Sequence, residues 1–180
     1  MTARAEYSAE EWALLTDAPT LVEVAVALAD GSGFFETVTE GVRSGVVRYQ
    51  GKLRYPGNEL VAALTTPRPG DVGQEHHLPE FQEEGDSTAV AVGRLRQAAV
   101  KWCKDAMALL AERSNPEEAA GYAAWVLDVA KAAATAVRHR SGIFAAPGPV
   151  VDEPELEVLE QVARALGVEL GELPVEATDA

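Results

Sequence analysis

The side chains able to do chemistry in this sequence are few and scattered. His76, His77 and Glu80 fall within five residues, and imidazole with carboxylate is a donor set that suits zinc or a similar ion. Their order, His77-x-x-Glu80, reverses the Glu-x-x-His spacing by which a helix turns both side chains inward onto a metal. Pro79 also stands between them, so a loop must carry the group. Cys103, between Trp102 and Lys104, is the only thiol. As a nucleophile it would need access, a lowered pKa and a base; on an apolar helix face it reads as a small core residue. His139 lies between Arg138 and Arg140 at an expected helix end, where positive charge meets the negative end of the helix dipole. Trp102 and Trp125 fall on the two longest expected helices and, with His139, are the candidates to line a small-molecule pocket between them. Arg94, Lys101 and Lys104, spaced by seven and three, fall near one helix face and form the candidate site for an anion or an acidic partner.

Several familiar chemistries are excluded by pattern. No run of glycines leads into Lys and Ser/Thr at a helix start, so no phosphate-binding loop of that kind is present. The Gly-x-Gly of Asp30-Gly31-Ser32-Gly33 joins helix to helix and lacks both the third glycine and the preceding strand of a dinucleotide site. With 29 acids against 15 bases the formal charge is −14, which argues against nucleic acid or an anionic membrane as partner. The exception is 87–140, where eight bases face five acids. No apolar run approaches the roughly 20 residues needed to span a bilayer. The start, MTARAEYSAEEW, lacks a basic and apolar leader, and a single cysteine forms no internal disulfide, so a cytoplasmic location is expected.

These residues need elements to hold them, and 180 residues at 47% hydrophobic content suffice for one domain with a sizeable core. Ser8 with Glu11 has the spacing of a capping box and predicts a helix over about 9–16, ended by Asp17-Ala18-Pro19. Thr20 with Glu23 predicts a second start, leading into a buried apolar run that stops at Asp30-Gly31. Apolar residues at spacings of three and four predict an amphipathic helix over 34–54. Pro56-Gly57 breaks the chain, and Asn58 caps a short helix bearing Leu60, Val61 and Leu64. Residues 66–86 hold three prolines, three glycines, six acids and one base, and read as a long acidic loop.

A helix from about 87 to 113 follows, with Val90, Leu95, Ala98, Ala99, Trp102, Cys103, Met107 and Leu110 as its inward set. Asn115-Pro116-Glu117-Glu118 is a clear start signal for the next, to about 138, which is apolar almost all round. Asp152 caps a last helix ending at Gly167, and 168–180 reads as a frayed acidic tail. The expected architecture is all-α: a single-domain bundle over 1–167 of six or seven helices around a central apolar helix at about 116–138.

The run Leu21 to Gly31, LVEVAVALADG, with Glu36 after it, resembles the helix, Asp-Gly turn and acidic helix start of TerB-like tellurite-resistance proteins. The stretch Asp152-Glu153-Pro154-Glu155 leading into LEVLEQVARALG is similar to that family's closing segment. Ser141-Gly142 stands in place of the second Asp-Gly turn. The resemblance implies an all-helical domain with an acidic metal-binding surface and a role in stress-response assemblies, Asp30, Glu36, Asp152 and Glu155 being the residues that would inherit metal binding. Carboxylate-rich sites prefer calcium, magnesium or manganese, so a divalent cation is the expected cofactor. The sequence points first to a non-catalytic helical protein that works through contacts with another protein. Its rival is an enzyme or small-molecule-binding bundle with a pocket between the helices of Trp102 and Trp125.

Overall fold

The structure is a computed structural model that describes residues 4–29, 31, 51, 53–66, 78–81, 83–138 and 151–173. After a short turn of 3-10 helix at Arg4–Glu6, five α-helices and no strand occur among the described residues. They are α1 (Ala9–Ala27), α2 (Glu59–Thr65), α3 (Thr88–Arg113), α4 (Pro116–Arg138) and α5 (Glu153–Leu166). None is long and apolar enough to cross a membrane. The amphipathic helix expected over 34–54 lies mostly outside the described residues; Gly51, Leu53 and Arg54 are helical.

Helix ends follow local chemistry. The Ser8 hydroxyl accepts the Glu11 N–H at 3.1 Å, and the Glu11 carboxylate accepts the Ser8 N–H at 2.7 Å, which satisfies two donors that an uncapped helix would leave without partners. Asn58 accepts from Val61 N–H at 2.8 Å, Ser87 from Val90 N–H at 3.4 Å and Asn115 from Glu118 N–H at 2.9 Å. At the other end of α5, Gly167 turns left-handed (φ 71°), and Val168 N–H donates to the Ala163 carbonyl at 3.0 Å.

The break expected at Asp17-Ala18-Pro19 does not occur: α1 runs through Pro19. Proline has no N–H, so the Leu15 carbonyl four residues earlier loses its helical donor. That carbonyl instead accepts the Tyr122 hydroxyl of α4 at 3.1 Å in the fully buried interior. Thr20 is therefore an interior helical residue and caps nothing.

α1 packs against both α3 and α4 more extensively than those two pack against each other, while α4 touches all four other helices. Envelopment is most complete along the second half of α1, where Leu15 and every residue from Asp17 to Val26 except Glu23 are buried. The inward face of α3 is Ala91, Val92, Leu95, Ala99, Cys103, Ala106 and Leu110. Val90, expected inward, is 46% exposed, because it lies on the side of α3 opposite the face of Ala91, Leu95 and Ala99. The first six residues of the expected tail, 168–173, place Val168, Leu170 and Leu173 against the core.

Candidate functional site

The groups of greatest chemical interest lie where α1, α3 and α4 meet. Tyr122, on α4, is fully buried, and its hydroxyl is committed to the Leu15 carbonyl. Burial pushes its phenol well above the usual range, and the charges of Cys103 and Asp17 push in the same direction. Cys103, on α3, is fully buried too, and burial raises its thiol to about 12. A thiol held so far from ionisation and from solvent is a poor nucleophile, so the core reading of Cys103 is the one its surroundings favour. Asp17 and Thr20 are buried within the same helix, each with a polar partner.

A second constellation lies on the face of α4 that receives 51–65. Positions 118, 121, 125 and 128 recur at three and four and so share that face. Asn58 donates from Nδ2 to the Glu118 carbonyl at 3.0 Å while its Oδ1 caps α2. A Cβ on Gly121 would come within 2.1 Å of that Nδ2, so only glycine lets the amide in. Trp125 is buried edge-on to Tyr122, ring centroids 5.8 Å apart. A Cβ on Gly51 would lie 2.5 Å from the Trp125 Nε1. Tyr55 donates to Asp128 Oδ2 at 2.8 Å, and Arg54 pairs with the same oxygen at 3.1 Å. Burial first, then the Asp128 hydrogen bond and charge, lifts Tyr55 to about 12 against the opposing pull of Arg54.

The residues singled out by type do not all converge. Arg94 turns to Asp86 and to Glu83 at 3.2 Å, which ties the end of the acidic loop to α3. Asp86 also accepts the Glu83 N–H at 2.8 Å. Lys101 pairs with Asp105 one turn along, and Lys104 is exposed. The positive face is thus largely answered by the chain's own carboxylates. Trp102 is half-buried on α3, and α1 packs against both helices proposed to flank the pocket.

Of the four acids, Asp152 stands at the N-cap of α5 and Glu155 is buried, its Oε2 accepting the Asp152 N–H at 3.0 Å. Asp30, Glu36, His76, His77 and His139 lie outside the described residues. Among the described residues no three His, Cys, Asp or Glu side chains are grouped to hold a metal ion.

Sequence patterning missed Asn58 as a bridge to α4 and Gly121 as its seat. The available signal was a glycine inside a strong helix, three residues beyond a glutamate whose carbonyl that amide takes. Comparison with family models, curated proteins and solved structures returns no match.

Proposed function

We propose that this chain is a non-catalytic helical protein of the cytoplasm that works through contacts with another protein, its acidic exterior meeting a cationic surface on the partner. The observation that carries this reading is the commitment of its inward chemistry to the fold. The Tyr122 hydroxyl serves the Leu15 carbonyl, Cys103 is sealed in the core, and the Glu155 carboxylate serves the start of α5. Among the described residues Asp17 and Glu155 are the buried charges, and the other charged side chains reach solvent. A divalent cation of the calcium, magnesium or manganese class, with Asp30, Glu36, Asp152 and Glu155 as its candidate ligands, is the cofactor component of the reading, and the TerB-like resemblance adds a role in stress-response assemblies. A helix through 34–54, of which Gly51, Leu53 and Arg54 are the described end, would bring the bundle to six helices, the lower of the six or seven that the sequence suggests.

The test is calorimetric titration with each cation, joined to capture of partners from the protein's own source by the natural chain and by Asp30→Ala. Metal heat and a stoichiometric partner released by salt, both lost in the variant, are expected. A chain without metal heat whose partner recovery ignores both salt and Asp30→Ala contradicts the reading.

One observation favours the small-molecule alternative: the Trp125 Nε1 is buried without a hydrogen-bond partner. A ligand oxygen reaching it would remove a desolvation cost. Native mass spectrometry of gently purified protein decides this, since a copurifying organic ligand lost in Trp125→Phe supports the pocket and a bare chain opposes it.

A further inference from the structure

The indole nitrogen of Trp125 is buried and donates to nothing, so the fold keeps a desolvated N–H without a hydrogen bond in return. A short segment, 51–55, covers it. Gly51 is buried there, and the Cβ it lacks would fall 2.5 Å from the Trp125 Nε1 and 2.9 Å from the Thr65 Cγ2. Its backbone therefore lies directly over the nitrogen and shuts out water. The rest of the segment is lightly held. Leu53 is 80% exposed, and Tyr55 is partly buried against the core. Its polar attachment to α4 among the described residues is a single oxygen, Asp128 Oδ2, which takes the Tyr55 hydroxyl at 2.8 Å and Arg54 at 3.1 Å. Pro56-Gly57, next in the chain, is an exposed turn, and a Cβ on Gly57 would meet nothing within 4 Å, so the turn has room to pivot. Asn58, directly after it, is buried and fixed to both α2 and α4.

We propose that 51–55 is a lid over Trp125, hinged at Pro56-Gly57 and latched by Tyr55 on Asp128. Opening hydrates the Trp125 N–H, which offsets part of what is lost when Gly51 and Tyr55 come away, and it leaves the packing of α1, α3, α4 and α5 in place. It also frees the Asp128 carboxylate one turn from that N–H on the same face of α4. Donor and acceptor are then presented together, a fit for a small polar molecule that carries both an acceptor oxygen and a donor group. That use rests on the small-molecule reading above; the opening itself needs no ligand.

Native-state hydrogen exchange of the full chain, followed by NMR across low urea concentrations, tests the lid. The Trp125 indole signal is the one missing in Trp125→Phe, and the backbone N–H of the fully buried Val126 is the reference for unfolding of the bundle. The indole N–H is expected to exchange faster than that reference and with little dependence on urea, because an opening lid exposes little surface. Tyr55→Phe removes the latch donor and should raise the indole rate about tenfold, still with little dependence on urea. An indole that exchanges only at the rate and urea dependence of Val126, or whose rate Tyr55→Phe leaves unchanged, overturns the proposal. A chain that purifies without a small molecule yet shows the expected exchange keeps the lid and removes only its use as a gate.

Discussion

Pro19 and Gly121 are both helix-breaking residue types set inside long helices, and the molecule resolves them in opposite ways. At Pro19 the defect is a missing backbone donor, supplied by the Tyr122 hydroxyl from the neighbouring helix. At Gly121 the defect is a missing side chain, and the vacated space admits the Asn58 amide that caps α2 and ties it to α4. The two repairs lie on adjacent residues of α4 and look toward different neighbours, α1 and α2. Both show a local weakness used as a point of specific attachment between segments far apart in the chain.

The largest effect is expected where the repair has no room to give. Gly121→Ala drives a Cβ into the buried Asn58 amide and should cost about 2 kcal/mol by urea unfolding, after the roughly 1 kcal/mol gain in helix propensity. In an Asn58→Ala background the same substitution should become neutral or stabilising. A Gly121→Ala penalty that persists there would break the pairing of the two residues.

Much of the fold was legible because helix ends are decided by neighbours in sequence. Ser8 with Glu11, Asn58, Asn115 and Gly167 each act within four residues, and each behaves as its type and spacing predict. Pro19 was misleading for the converse reason, since its tolerance depends on a hydroxyl more than a hundred residues away. Val90 was placed inward by its apolar type against its position, since it falls on the side of α3 away from Leu95, Ala99 and Cys103. The acidic composition of 168–173 concealed the three apolar residues that dock it. Within the candidate site, the core position of Cys103 was legible, whereas the capping use of Glu155 competes with the ligand role that the TerB-like resemblance implies for it.

Alkaline pH sharpens the contrast between the buried groups and the exposed ones. Cys103 and Tyr55 are both raised to about 12, from ordinary values of 9.0 and 10.0. The fold therefore holds their protons more tightly than the unfolded chain does. Their contribution to stability is complete below pH 9.0 for the thiol and pH 10.0 for the phenol, and it is lost as pH rises toward about 12. The thermal midpoint should fall across that window. Cys103→Ala should remove the part that begins near pH 9.0, and Tyr55→Phe some of the part that begins near pH 10.0, the remainder belonging to Tyr122. A midpoint flat over this range would contradict the burial of both groups.

The smallest effects belong to the charged face of α3. Lys101 and its partner Asp105 are well exposed, and Arg94 is shared between Asp86 and Glu83. Lys101→Ala should shift stability by less than about 0.5 kcal/mol, and Arg94→Ala by about 1 kcal/mol at most. Losses of the size expected at Gly121 would mean that the surface ion pairs, rather than the buried repairs, organise the bundle.

The most direct measurement is a double-mutant cycle on Pro19→Ala and Tyr122→Phe, read by equilibrium urea unfolding. Removing the hydroxyl from the natural chain leaves the Leu15 carbonyl buried without a donor and should cost about 1–3 kcal/mol. With alanine at position 19 the helix supplies its own N–H to that carbonyl, so the cost of Tyr122→Phe should fall by about 1 kcal/mol. Equal costs in the two backgrounds, within a few tenths of a kcal/mol, would contradict the claim that Tyr122 completes α1 at its proline.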